Sequence, residues 1–372
     1  MNSYVMITDQ ESLCRAAERL GVEKILAFDL EADSMHHYRE QVCLLQISSG
    51  SENLIVDPLA CTDFSPLAPL FADSAILKVF HGADYDVRML HRGFGIEINN
   101  LFDTMIACQF LGEPAVGLAA VLKKRFGVEL DKRYQQADWS RRPLPAEMLD
   151  YAAKDTSLLI PLYGQLTAEL EARGRLAWVE EECALLSRVR MAERSDESLS
   201  LRFKGASRLK GESLALLEEL LRFRDEEAQR RDLPPFKILG NETLRELVDR
   251  LPSSPAELAG IPGLSPKLQD RYGRGILQAV KRAREMPAHL LPVFPRQRRP
   301  ERSRQQEALL KKLKDWRSRK ATDLGIDPGI LVNNALLDGL AEAVPEQLAD
   351  ISGIKEWQAT VFGEELLRIV RG

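Results

Sequence analysis

Two acidic residues, Asp29 and Glu31, end an apolar run near the start of the chain, in "ILAFDLEAD". Residues two apart on a β-strand project from the same face. Two carboxylates side by side repel each other, and a divalent cation between them removes that repulsion. The pattern therefore indicates a metal site at the end of a buried strand. A solvated strand end, or pairing with a basic residue, is the alternative.

Two later segments carry acids of the same kind. "KVFHGADYDVRML" predicts an apolar strand, a turn at Gly82 and a helix that begins near Asp84 and Asp86. An acid at a helix start also stabilises the helix by itself, which would explain one of the two without a metal. "MLDYAAKDTSLLI" predicts a helix on which Tyr151 and Asp155, four residues apart, share a face. A tyrosine at such a spacing usually packs in a core, so this pair alone indicates little.

Taken in order, these motifs resemble a known enzyme family. A strand-borne Asp-x-Glu, an acid after a later strand and a helical Tyr-x-x-x-Asp are similar to the tyrosine-bearing branch of the DEDD exonuclease superfamily. The segments "FHGADYD", "LFDT" and "KRYQQADWSRRPLPAEMLDYAAKDT" resemble ribonuclease D and its nuclear exosome relatives more narrowly. The later helical segments resemble the HRDC domain, so the resemblance covers essentially the whole chain.

The resemblance implies a site of five side chains that hydrolyses phosphodiesters. Its four metal ligands map to Asp29, Glu31, Asp86 and Asp155, which would hold two divalent ions, Mg²⁺ or Mn²⁺. By the same analogy Asp29 bridges both ions, Glu31 and Asp155 complete the ion on the nucleophile side, and Asp86 serves the other. Tyr151 is expected to orient the attacking water, because a hydroxyl with a pKa near 10 is a poor base at neutral pH.

Other polar residues near these motifs are given lesser roles. Asp84 has no counterpart in the family pattern, Asp33 is expected to be a solvated turn residue, and Asp103 of "LFDT" is expected to be structural. Three residues before the tyrosine motif could bring a cation and an aromatic ring to phosphate and base: Lys132, Gln135 and Trp139. A loop that packs on the domain is the alternative for these three.

The first 160 residues alternate strand-like and helix-like segments, such as "KILAFDL", "VCLLQIS" and "ILKVF". This predicts an α/β fold with one central, mixed sheet. The resemblance implies a ribonuclease-H-like 3′–5′ exonuclease domain over residues 1–200. Thr8 and Glu11 have capping-box spacing, so the first helix is expected to begin at Thr8 and to stop at Gly21.

The second half of the chain contains a sequence repeat. "LPPFKILGNETL" returns as "IDPGILVNNALL" at an offset of 93 residues. At the same offset four residue pairs correspond: Leu217 and Leu310, Leu220 and Leu313, Phe223 and Trp316, and Arg224 and Arg317. The repeat predicts two small all-α modules, residues 208–290 and 303–372, both similar to HRDC domains. We expect Phe223 and Trp316 in the module cores, with base stacking as the alternative.

Charge is divided unevenly between the two halves. Residues 1–200 contain 20 basic and 31 acidic residues, whereas residues 201–372 contain 31 basic and 25 acidic ones. Within residues 281–320 there are 14 basic and 4 acidic residues. An acidic half can concentrate divalent cations and a basic half can hold a polyanion such as RNA. A basic linker that is simply solvated is the alternative.

Composition excludes several classes of protein. No run approaches the roughly 18 apolar residues of a membrane span. The first residues lack the basic and apolar pattern of a secretory signal. The five cysteines are scattered, which argues against a zinc site or a disulfide framework. We therefore expect a cytoplasmic protein without a membrane or an obligate protein partner.

The resemblance implies a 3′–5′ exoribonuclease that trims RNA ends and releases nucleoside 5′-monophosphates. Its expected partners are RNAs with a free 3′ end, namely tRNA precursors and other small structured RNAs. A DNA 3′–5′ exonuclease or an inactive nucleic-acid-binding scaffold is the alternative, although the presence of all four acids and the tyrosine argues against the scaffold. We also expect that deleting the chain beyond residue 205 would leave the metal chemistry intact.

Overall fold

The computed structural model describes residues 4–131, 133–192, 198–295, 302–343, 345, 347 and 351–372. Its packing divides the chain into two compact units. The first unit contains the described residues of Met1–Ala32, Val42–Met191 and Pro300–Gly372, and the second contains those of Asp33–Gln41 and Ala192–Arg299. Each unit is therefore assembled from separate stretches of the chain.

A six-stranded sheet lies at the centre of the first unit. Its strands are β1 (Val5–Ile7), β2 (Ile25–Ala32), β3 (Val42–Ser48), β4 (Asn53–Val56), β5 (Leu77–Phe80) and β6 (Leu101–Asp103). The spatial order is β1-β4-β3-β2-β5-β6, and β3 is antiparallel to both β2 and β4 while the other pairs are parallel. The predicted mixed α/β sheet is confirmed, and β2 lies inside it.

Helices cover both faces of this sheet. They are α1 (Gln10–Leu20), α2 (Ala68–Ala72), α3 (Asp84–Phe94), α4 (Thr104–Phe110), α5 (Leu118–Phe126), α6 (Ala146–Ser157), α7 (Leu159–Ala172) and α8 (Leu176–Leu186). On one face the ring of Phe28 packs against Phe71 and Phe80, with centroid distances of 4.5 and 5.5 Å. On the other face α6 packs across β2, β3 and β4. Because neighbouring strand residues face opposite ways, Asp29 and Glu31 lie on the α6 face.

The first helix begins one residue later than predicted. Its N-cap is Asp9 rather than Thr8, and the Asp9 carboxylate accepts a hydrogen bond from the Ser12 backbone N–H at 2.8 Å. The helix stops at Gly21 as expected. Asp and Thr are both good N-cap residues, so their order in the sequence did not decide which one would cap the helix.

The second unit is helical. It contains α9 (Gly211–Arg231), α10 (Pro235–Ile238), α11 (Asn241–Arg250), α12 (Pro255–Leu258) and α13 (Pro266–Arg284). The long helices α9 and α13 pack together and bury an apolar core that includes Leu217, Leu220 and Ile276. Phe223 packs against this core with its ring edge towards Tyr272, so it has the core position that the repeat predicted.

The loop that follows β2 also belongs to the second unit. Its Tyr38 is buried, the Tyr38 hydroxyl donates to Asp225 at 2.8 Å, and the Tyr38 backbone N–H donates to Asp232 at 3.1 Å. The expectation for Asp33 was wrong: this residue is fully buried, and its carboxylate accepts from the Gln41 backbone N–H at 2.8 Å. Asp33 therefore closes the base of the loop instead of facing water.

The second helical module contains α14 (Arg304–Leu324), α15 (Pro328–Leu331), α16 (Asn334–Ala343) and α17 (Glu356–Arg371). One hydrogen bond recurs in both modules at the repeat offset. Arg224 donates to the carbonyl of Leu239 at 3.3 Å, and Arg317 donates to the carbonyl of Val332 at 2.7 Å. Trp316 is buried, as the core interpretation expected. The two modules therefore share an internal arrangement.

Aromatic rings join the second module to the sheet-bearing part of the first unit, residues 4–32 and 42–191. Trp357 of α17 stacks on Trp178 of α8, with ring centroids 5.0 Å apart and an angle of 18° between the rings. The edge of Phe110 meets Trp357 at 5.4 Å. Burial of large aromatic surfaces is a strong source of packing free energy. The second module and the sheet-bearing part therefore share one apolar core.

Polar contacts also stabilise this junction, the contact between α17 of the second module and α8. The Glu181 carboxylate accepts from the backbone N–H groups of Glu356 and Trp357, both at 2.7 Å, and so satisfies two free donors at the start of α17. Gly112 lies so close to the second module that a Cβ there would be 1.9 Å from the Gly325 carbonyl oxygen. This packing argues against the expectation that a cut near residue 205 leaves the metal chemistry intact.

No helix in the described part of the chain is both long enough and apolar enough to cross a membrane.

The junction gives a stability prediction. Trp357→Ala removes the ring that stacks on Trp178, and we expect the free energy of unfolding of the first unit to fall by about 3 to 5 kcal/mol. Val361→Ala on the exposed side of α17 is the matched control and should change little. Urea unfolding followed by circular dichroism measures both. Equal stability of the two variants would show that the second module is only loosely attached.

Candidate active site

Three of the predicted acids meet at one point. Asp29 and Glu31 come from β2 and Asp155 from α6, and each offers a carboxylate oxygen within 4.8 Å of the other two. The helix is fixed in place next to Asp155, because the hydroxyls of Thr156 and Ser48 are hydrogen-bonded at 2.6 Å. The strand and the helix therefore hold the three carboxylates together.

The fourth acid, Asp86, faces the same cluster from the first turn of α3. Asp86 is buried, and the negative charges of Asp86 and Asp29 both raise the pKa of Glu31. The backbone N–H of Leu30 donates a hydrogen bond to the carboxylates of both Asp29 and Asp86. This donation opposes the rise of their pKa values. In contrast, Asp84 is exposed and bonds to Arg88 at 2.7 Å. The structure thus turns Asp86 towards the other acids and Asp84 away from them.

All four acids have raised pKa values. Burial is the largest cause at each one: it raises the pKa of Asp29, Glu31 and Asp86 well above the ordinary range, and it raises the pKa of Asp155 to about 7. Neighbouring carboxylates raise the first three further. Among the described residues, no basic side chain contributes to these shifts. An all-carboxylate set that lacks a cationic partner suits hard divalent ions such as Mg²⁺ and Mn²⁺.

Asp103 fixes the turn that leads into α3. Its carboxylate accepts from the backbone N–H groups of Gly82 at 2.9 Å and Ala83 at 2.7 Å, and also caps α4 by accepting from Met105 at 2.7 Å. Gly82 has a φ of +78°, a conformation that favours glycine. Asp103 therefore has the structural role that was expected: it positions the helix that carries Asp86.

His81 lies beside the acids with a defined proton position. Its Nδ1 is 2.8 Å from the Thr104 hydroxyl, which itself donates to the Phe80 carbonyl at 2.8 Å. The hydroxyl must therefore accept from the ring, so Nδ1 carries the proton. Burial lowers the pKa of His81, which keeps the ring neutral.

Tyr151 is held next to Asp155 on α6. Its hydroxyl is hydrogen-bonded to the Asp155 carboxylate, which lowers the pKa of Asp155 against the larger effect of burial. Burial, followed by the charges of Asp155 and Glu31, raises the pKa of Tyr151 far above its usual value. The phenol thus keeps its proton and acts as a hydrogen-bond donor at neutral pH.

The segment before α6 packs against this tyrosine. The ring of Trp139 is buried with its centroid 6.1 Å from that of Tyr151, so the packed-loop alternative holds for Trp139. Arg142, which the sequence did not single out, anchors the segment by donating to Asp57 at 2.6 Å and to the Cys43 carbonyl at 2.8 Å. Gln135 is exposed at the site, and Lys132 lies outside the described residues.

Three of the four acids line a cavity of about 600 Å³. Its wall includes Asp29, Glu31, His81, Gln135, Tyr151 and Asp155. A larger cavity, of about 800 Å³, lies elsewhere in the first unit next to Phe102 and Tyr163. The metal-competent cluster found among the described residues lies at the first of these cavities. The candidate metal site therefore lies at the smaller of these two cavities.

Comparisons with known proteins find matches over the whole length of the chain. Residues 4–171 match the family model described as a 3′–5′ exonuclease, and residues 213–280 and 306–370 each match the HRDC domain. Ribonuclease D from Granulibacter bethesdensis is 31% identical over 374 residues, which covers 100% of this chain and 93% of that protein.

Two solved structures are also similar. Escherichia coli RNase D, described as an exoribonuclease involved in structured RNA processing, has a TM-score of 0.75 and 27% identity, with 99% of both chains covered. The catalytic core of RRP6 from Trypanosoma brucei has a TM-score of 0.68 and 33% identity, with 76% of this chain and 79% of that chain covered. Since the likeness extends over the whole length, the chain belongs to the ribonuclease D family of 3′–5′ exoribonucleases.

Proposed function

We propose that this exoribonuclease trims the 3′ ends of tRNA precursors and other small structured RNAs in the cytoplasm, and that it uses two divalent ions, Mg²⁺ or Mn²⁺. The observation that supports this best is the convergence of Asp29, Glu31 and Asp155 at the wall of an open cavity. Asp86 lies outside this three-residue cluster but near enough for its charge to raise the pKa of Glu31. The E. coli relative described as acting in structured RNA processing supports the choice of substrate.

The four acids would hold the ions. When bound, two divalent ions activate the attacking water and stabilise the leaving oxygen of the phosphodiester. Asp29 interacts electrostatically with the other three acids, and so does Glu31. The assignment of Asp29 as the ligand that both ions would share rests on the family resemblance.

Tyr151 would orient the nucleophile. Its raised pKa keeps the phenol protonated, and its hydrogen bond to Asp155 directs the hydroxyl to the acid cluster. The packed ring of Trp139 limits movement of Tyr151. A fixed hydroxyl can set the direction of attack on the phosphorus, which lowers the entropic part of the barrier.

The basic segment 281–320 would attract the RNA. Residues 296–301 lie outside the described part of the chain, but α14 presents exposed Lys311, Lys312 and Lys314. Lysines on a surface bind phosphates without regard to sequence and release counterions as they do so. Trp316, which is buried, is excluded as a stacking platform for bases.

The direct test of this function is a digestion time course. RNA labelled at its 5′ end should shorten in single-nucleotide steps when Mg²⁺ is present, and RNA labelled at its 3′ end should release labelled mononucleotide at once. A tRNA precursor with a short 3′ extension should stop near the folded stem. Equal cleavage of single-stranded DNA, or internal cuts in the RNA, would contradict the proposal.

Asp29→Asn tests the metal ligands in two ways. We expect turnover to fall by about 1,000-fold, since several kcal/mol of charge stabilisation is lost and each 1.4 kcal/mol is tenfold in rate. The same change should raise the melting temperature of the metal-free protein at pH 8. Burial raises the pKa of Asp29 in the folded protein, so ionisation of this carboxyl group opposes folding at any pH above its unfolded pKa of about 4.

The control for this experiment is Asp84→Asn, which alters an exposed acid in the first turn of α3, two residues before Asp86. It should leave turnover and the metal-free melting temperature nearly unchanged. A variant at Asp29 that keeps its activity in Mg²⁺ would show that the cluster is not the metal site.

Tyr151→Phe removes the hydroxyl and keeps the ring. We expect kcat to fall by about 100-fold, within the range of positioned proton-transfer groups, with little change in RNA affinity or melting temperature. Tyr163→Phe is the matched control, because that ring packs on Phe102 away from the acids. An unchanged kcat in Tyr151→Phe would mean that the tyrosine only packs on its helix.

A further inference from the structure

Gln46 occupies a position directly beside the central acid. It lies on β3 opposite Asp29 in the antiparallel pair with β2. Side chains of directly opposed residues project from the same face, with Cβ atoms about 5 Å apart. Two residues further along β3, Ser48 bonds to Thr156 of α6. Gln46 therefore lies under α6, on the face that carries the acid cluster.

The carboxamide of Gln46 is buried and has no hydrogen-bond partner. Its exposed fraction is 0%, and neither Nε2 nor Oε1 is bonded. In the described part of the chain it is the one residue whose buried side-chain donor and acceptor both lack a partner. Buried polar groups are nearly always paired, and an unpaired one lowers stability. An apolar side chain of the same volume at this position would make the folded protein more stable.

A ligand-bound state would give this group a partner. A carboxylate has about four lone-pair sites, so one that binds two ions keeps sites free for protein donors. Carboxylates that bind metals are generally hydrogen-bonded by neighbouring groups, which fix their orientation. An amide can serve here without neutralising the site, whereas a lysine or arginine would compete with the cations.

We propose that Gln46 is a positioning residue for the metal site, whose carboxamide NH₂ donates to the Asp29 carboxylate when divalent ions bind. This inference rests on the metal site of the proposed function. It assigns Gln46 no contact with RNA and no part in proton transfer. The Asp29 carboxylate would then be the hydrogen-bond partner that the Gln46 amide lacks within the protein.

Gln46→Met tests this proposal, because methionine has nearly the same volume and no amide. We expect the Mn²⁺ concentration at half-saturation, measured by calorimetry without RNA, to rise 10- to 100-fold. The metal-free melting temperature should stay the same or rise, since an unpaired amide is removed. The Mg²⁺ concentration needed for half-maximal trimming should rise in parallel. Leu45→Met, on the same strand but the opposite face, is the control.

Two outcomes would overturn the proposal. One is unchanged Mn²⁺ affinity in Gln46→Met. The other is a lower metal-free melting temperature in both Gln46→Met and the shorter Gln46→Leu, which would show that the amide is already bonded without metal and is structural. Failure of the proposed function is distinguishable, because the unaltered protein would then bind no Mn²⁺ at the Asp29 site.

Discussion

Repulsion among the four carboxylates, two of them buried and two half-buried, is the constraint on which the first unit depends. Burial and mutual charge raise the pKa of each acid, and no described basic side chain relieves them. The surrounding structure must therefore be rigid enough to hold the acids together without help from a cation. The inner strand β2, the Asp103 clamp and the bond between Ser48 and Thr156 meet that need. A fold that keeps the carboxylates close together in spite of their repulsion is preorganised to bind divalent ions.

The sequence predicted which acids lie close together better than it predicted what surrounds them. Alternation on a strand placed Asp29 and Glu31 on one face, and helical spacing placed Tyr151 and Asp155 together. Their selection over Asp84 came from the resemblance, and the structure separates the two aspartates of α3 because one faces the sheet and the other Arg88. Local patterns are therefore enough to predict which residues lie together when those residues share a strand, a helix or a family motif.

Other features depend on contacts between distant parts of the chain, which a local pattern does not contain. Asp33 looked like a turn residue, yet it is buried because its loop folds back on itself. The sequence did not single out Arg142, because its partner Asp57 lies 85 residues earlier in the chain. Gln46 stands in an apolar strand pattern where nothing local distinguishes it. The amphipathic helices of the second module also gave no sign that α8 would be their partner.

The two repeated modules show how similar sequences acquire different neighbours. Both keep the arginine-to-carbonyl bond, while the second adds Trp357, which stacks on Trp178. This arrangement has a consequence for synthesis on the ribosome. Since α17 supplies part of the core shared with α8, the first unit cannot be completed until the ribosome has translated residues 192–372, which takes on the order of 10 s or more. During that interval the nascent acid-bearing sheet leaves Trp178 uncovered, so we expect chaperones that bind exposed aromatic surface to meet this chain before it is finished.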